Sequence, residues 1–86
     1  MIHYVTQEDI DKGCQLNGQS CPVYRALKRS YPNVYHVYGD RVEYNCDSST
    51  HPSVRPSKNL PKNAADFIFR FDDNLSVEPF SFELEL

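Results

Sequence analysis

VYHVYGDRVEYN, residues 34–45, is the stretch on which the fold turns. Two runs rich in valine and tyrosine flank Gly39-Asp40, and a two-residue loop of this kind between β-formers predicts a β-hairpin. With glycine at the first central position, a type II′ turn is expected. That turn pairs Tyr38 with Arg41, Val37 with Val42, His36 with Glu43 and Tyr35 with Tyr44. Tyr35, Val37, Val42 and Tyr44 then form the core face, and His36, Tyr38, Arg41 and Glu43 the opposite one. A slip of one residue would mix the two sets, so the pattern supports the register.

Outward from the hairpin, both flanks read as helix. On the N-terminal side Pro22 suits a first helical turn. Val23, Ala26, Leu27 and Tyr31 follow at helical spacing, and Pro32-Asn33 ends the segment. Arg25, Lys28 and Arg29 fall on the other side of this helix. Further upstream, residues 2–6 predict a short strand. Thr6-Gln7-Glu8-Asp9 reads as a capping box opening a two-turn helix anchored by Ile10 and stopped at Gly13. Downstream, residues 46–60 (CDSSTHPSVRPSKNL) lack periodicity and predict a long irregular loop. Leu60, Ala64, Phe67, Ile68 and Phe71 mark a third helix with Pro61 at its start, and Phe69 falls off that stripe. From Pro79 onward Phe80, Phe82, Leu84 and Leu86 alternate with polar residues. This predicts a last strand, lying inside the sheet or at an edge that pairs with another subunit. The expected fold is a single α+β domain over residues 1–86. Its order is β-α-α-β-β-α-β, a four-stranded, largely antiparallel sheet with helices on one face.

Composition narrows the functional classes. The chain has 86 residues, six Tyr, five Phe, no Trp and a net charge of −3. A domain this small has little stability to spare, so self-association would help it. The charge argues against bulk nucleic-acid binding, which needs a strongly basic surface. No apolar run approaches the length of a membrane span, and no signal-peptide pattern opens the chain, so a cytoplasmic location is expected.

Three chemistries are worth weighing. Cys14, Cys21, Cys46 and His51 make a Cys3His donor set for structural zinc, but six residues separate the first two cysteines and four separate Cys46 from His51. Firm zinc signatures use tighter knuckles, so no metal or other cofactor is assigned. Cys21, just before Pro22, would lie at a helix N-terminus, where a thiol is activated, yet no residue in the sequence is placed as its base. The third is a binding surface. Tyr24, Arg25, Lys28 and Arg29 lie along one helix, and His36, Tyr38 and Arg41 lie on the non-core hairpin face. The loop adds His51 and Arg55. Arginine with tyrosine is the residue set for phosphate and base contacts, and equally for protein interfaces.

Three motifs carry a resemblance. VTQEDIDKG, CPVYRALKR and FIFRFDDNLSVEPFSFEL resemble a group of small phage and bacterial proteins. These share a TQE-x-I-x-x-G opening, a C-P-V-x-x-A-L helix and an F-D…P-F-x-F ending. The likeness covers the two ends of the chain and leaves residues 45–59 without a counterpart. The group has no established activity, so no site residues are carried over. It implies a phage or mobile-element setting, in which such proteins act against host defence. The leading expectation is therefore a non-enzymatic phage accessory protein. It would work by binding a host protein or sequestering a signalling nucleotide, as a homo-oligomer. A zinc-stabilised interaction module and a thiol enzyme using Cys21 are the contrasting readings.

Overall fold

The computed structural model describes residues 1–45 and 55–86; Cys46 and His51 lie outside them. The elements are β1 (Ile2–Val5), α1 (Gln7–Lys12), α2 (Pro22–Ser30), β2 (Val34–Val37), β3 (Arg41–Tyr44), β4 (Ser57–Asn59), α3 (Lys62–Asp72) and β5 (Phe80–Glu83). The α+β class holds, but the strands form two antiparallel sheets, β1-β5 and β2-β3-β4, where one four-stranded sheet was expected. β4 is the strand the sequence did not announce. Ser-Lys-Asn is wholly exposed and has no apolar alternation, so only its pairing with β3 reveals it. The sheets are separate because β5 pairs only with β1, while α2 packs on both β1 and β2 and spans the gap between them.

The helices begin where local chemistry directs. Thr6 caps α1: its hydroxyl accepts from the Asp9 N–H, and the Asp9 carboxylate accepts from the Thr6 N–H at 3.0 Å. Cys21 caps α2, with Sγ accepting from the Tyr24 N–H at 3.4 Å and Pro22 in the first turn. Lys28, near the C-terminus of α2, donates to the carbonyls of Pro32 and Val34. This satisfies groups that the end of the helix and the following turn would otherwise leave open.

One core joins these elements. Val23, Ala26 and Leu27 of α2 meet Val34, Val37 and Val42 of the hairpin, Leu60, Ala64, Phe67 and Ile68 around α3, and Val5, Phe82 and Leu84. The helical stripes are those the spacing predicts, and Phe69 projects away from the core. Phe67, Phe80 and Phe82 run together as consecutive ring contacts, Phe67 to Phe80 at 4.6 Å and Phe80 to Phe82 at 5.7 Å.

The hairpin departs from expectation in two places. Val37–Val42 and His36–Glu43 pair as predicted, but Tyr44 faces Val34, not Tyr35, across a bulge between Val34 and His36. The bulge turns Val34 and Val37, three residues apart, into the same core, and it releases Tyr35 from the core face. The turn is not type II′, since no glycine has positive φ and Gly39 has open space around it. Tyr38 N–H still bonds the Arg41 carbonyl at 2.8 Å, while the Asp40 carbonyl accepts from Leu60. The turn is thus fitted to the chain entering α3, beyond what an isolated hairpin requires.

Candidate functional site

The basic face of α2 comes first, because the sequence directs attention there. Asp9 is 1% exposed, and its carboxylate accepts from Arg29 Nη1 and Nη2, both at 2.7 Å, and from Arg25 Nε at 3.2 Å. Arg29 Nη2 also donates to the Tyr4 carbonyl at 2.6 Å. Burial pushes the Asp9 carboxyl up, but the hydrogen bonds from Arg29 and Thr6 and the guanidinium charge outweigh it and hold it at about 2. A paired, hydrogen-bonded carboxylate of this kind locks α1, α2 and β1 together. Tyr24, Arg25, Lys28 and Arg29 do line a common groove with Glu8 and Ser20. Its three cations, however, are already engaged by Asp9 or by backbone carbonyls.

The other half of the predicted set converges. Across the outer face of β2-β3-β4, the Arg41 guanidinium lies 4.4 Å over the Tyr38 ring, and Tyr38 lies 4.4 Å from the His36 ring. His36 is 6.3 Å from Tyr35, whose ring carries the Arg55 guanidinium at 3.6 Å. The result is an unbroken run, Arg41–Tyr38–His36–Tyr35–Arg55, with a cation at each end. Arg41 also bonds Asp40 at 3.2 Å, and Arg55 donates to the Asn45 side chain at 2.9 Å. The Tyr38 hydroxyl donates to Glu43 at 2.9 Å, and that bond pushes its ionisation up. Four members of the run are among the residues singled out in the sequence. Tyr35 is not, because alternation puts it on the core face and only the bulge brings it out.

At one side the face drops into a groove of about 220 Å³ lined by Gly18, Cys21, His36, Tyr38, Gly39 and Asp72, among others. Gly18 makes this edge. A Cβ there would meet His36 Nε2 at 2.3 Å and the Val37 carbonyl oxygen at 2.4 Å, and the Gly18 carbonyl accepts from Val37 N–H. The groove falls short of the roughly 300–1,000 Å³ of small-molecule sites. His36 and Tyr38 of the stack line this groove, and Arg41 at the end of the run is exposed.

The cysteines are placed differently from each other. Cys14 is exposed and Cys21 is buried. Burial pushes the Cys21 thiol up to about 11, although the Tyr24 N–H favours its thiolate, and the charge of Asp72 adds to the rise. A helix N-terminus alone has not activated it. Among the described residues no three His, Cys, Asp or Glu side chains are grouped to hold a metal ion. Two members of the Cys3His set, Cys46 and His51, fall outside those residues, as does the candidate binding residue His51.

Sequence reasoning missed two further residues. Asp9 read as a capping residue, and its burial against two arginines depends on how α1 folds onto α2. His3 read as an ordinary strand residue. It is buried between Tyr31 and Phe82, with Nε2 donating to the Leu84 carbonyl at 3.0 Å. No family model, curated protein or solved structure matches the chain.

Proposed function

We propose that this is a non-enzymatic binding protein that grips a partner protein with the outer face of the β2-β3-β4 sheet. The observation that carries the reading is the five-residue run of Arg41, Tyr38, His36, Tyr35 and Arg55. Tyrosine offers large contact area with few rotatable bonds, arginine a planar guanidinium that stacks and donates as a fork, and both are enriched among the residues that dominate interface energetics. Prior stacking lowers the entropy lost on docking. The groove at the side of the face is smaller than a typical small-molecule site, which favours a macromolecule over a small ligand. In the phage setting implied by the sequence resemblance, the partner is a host-defence protein and occupation inhibits it. The chemically versatile side chains support a non-catalytic role: Asp9 is spent on two arginines, and burial keeps Cys21 a thiol.

The test is capture from host lysate with the intact protein, beside a Tyr38→Ala/Arg41→Glu variant and a panel of linear and cyclic nucleotides. The expected result is a host protein retained by the parent and lost by at least about tenfold with the variant, as for a central tyrosine or arginine anchor. Thermal stabilisation by a nucleotide, abolished in the same variant, would replace this reading with nucleotide sequestration. Capture that ignores both substitutions would remove the sheet face from consideration.

A further inference from the structure

The groove beside His36 and Tyr38 continues past the hairpin turn. Beyond Gly39 it opens into a second groove of about 320 Å³, lined by Leu16, Gly39, Ile68, Phe69, Asp72 and Asp73. Its walls are the two most exposed large apolar side chains among the described residues, Leu16 at 82% and Phe69 at 69%. Neither serves the core. Leu16 is held in this position by its N–H bond to Asp72 Oδ1 at 2.9 Å, and by Gln15 donating to the Phe71 carbonyl and the Asn74 side chain.

The rim has a single sign of charge. Asp72 and Asp73 lie at the C-terminal end of α3, where the helix dipole already concentrates negative potential and disfavours acids. Among the described residues neither enters an ion pair. Arg70, in the same turn, lines a different groove with Asp66 and Glu78. An apolar floor beside carboxylates that form no ion pair among the described residues is complementary to an apolar side chain next to a cation.

From this we infer that the Leu16–Phe69 groove docks a basic amphipathic helix of a partner protein. An apolar side chain of that helix enters between Leu16 and Phe69, and a neighbouring lysine or arginine reaches Asp72 and Asp73. A second copy of this chain is a poor occupant. A two-fold contact would set the same acids against each other, and the chain's own basic helix face is already bound internally at Asp9. The inference stands apart from the sheet-face reading, since it rests on Leu16, Phe69 and the acids of α3.

The experiment titrates the full chain with a fluorescent helical peptide of leucine and lysine, apolar along one face. A leucine–glutamate peptide of the same pattern and a scrambled leucine–lysine peptide are the comparisons. The amphipathic lysine peptide is expected to bind best, to weaken with added salt, and to perturb backbone amide resonances around 14–18, 39–40 and 68–75. Phe69→Ser and Asp73→Lys should each weaken it about tenfold or more, the scale for losing one buried aromatic contact or one close charge pair. Tyr35→Ala on the sheet face, which changes no charge, should leave it unchanged. Phe69 is exposed, so its substitution should not unfold the chain, and circular dichroism confirms that. Absence of binding, equal binding of the glutamate or scrambled peptide, or indifference to Phe69→Ser would overturn the inference. So would resonance changes confined to the sheet face, or a dimer that depends on Phe69.

Discussion

At the scale of single residues, Asp9 is the most consequential side chain. Its carboxyl is held at about 2 in the fold, against 3.8 for an unperturbed aspartate. A depressed folded value contributes stability above the unfolded value and loses it as pH falls through the folded one. The contribution is about 2 kcal/mol at neutral pH, an order-of-magnitude figure from the size of the shift. Asp9→Asn should therefore cost about that much at pH 7, and the gap between parent and variant should close between about pH 4 and pH 2. Urea unfolding of both proteins across that range measures it, and a gap independent of pH would show that the charge is not responsible. Cys21 gives a second residue-scale prediction. With its thiol buried and pushed up to about 11, it should resist iodoacetamide at pH 8 in the native protein, while exposed Cys14 is alkylated. Peptide mapping by mass spectrometry should show Cys21 labelled only after unfolding.

At the scale of elements, the hairpin shows what a local pattern can and cannot specify. Valine–tyrosine alternation around Gly39-Asp40 correctly locates two strands and most of their register. It does not reveal the bulge, since that depends on Val34 gaining more by burial against α2 than Tyr35 would. Nor does it reveal the turn type, since the Asp40 carbonyl is committed to Leu60. Two glycines then behave in opposite ways. Gly39→Ala should change stability by no more than about 0.5 kcal/mol, because neither positive φ nor a close neighbour requires glycine there. A type II′ turn would be weakened by the same substitution. Gly18→Ala should cost about 1–3 kcal/mol, because its Cβ would collide with the His36 ring and the Val37 carbonyl. Denaturant midpoints of the two variants distinguish these environments.

At the scale of the whole molecule, the small β1-β5 sheet bears on self-association. Ile2 and Tyr4 are exposed on one face of this sheet, opposite Glu83 and Ser81. Edge-to-edge pairing with another copy is obstructed, because the Tyr4 carbonyl is bonded by Arg29 and the Ser81 carbonyl by Asn63. If the protein self-associates, the face and not the edge is the available surface. Light scattering should show a dimer that Tyr4→Ser converts to monomer; a monomeric parent would dispose of it. The terminal strand pairs with β1 on one side only, so it is an edge of a two-stranded sheet and not an interior strand. The N-terminal amine and Lys58 both reach Glu85, which ties the two ends of the chain to the edge of the larger sheet.

The sequence by itself determined the α+β class, three helices with the N-terminal caps of α1 and α2 and the apolar stripes of α2 and α3, the hairpin, and four of the five stacked residues. Those features follow from contacts a few residues apart, for which periodicity and capping chemistry are sufficient information. The tertiary structure alone decided the split into two sheets, the strand Ser57–Asn59, the outward turn of Tyr35, and the commitment of Arg25 and Arg29 to Asp9. Each depends on which surface a segment meets after the chain has folded back, and a polar strand or a buried ion pair leaves no periodic mark in the sequence. The physical consequence is a transfer of interest. The basic helix face is consumed in holding the fold, and the stacked run from Arg41 to Arg55 lies instead on the sheet face beyond the bulge.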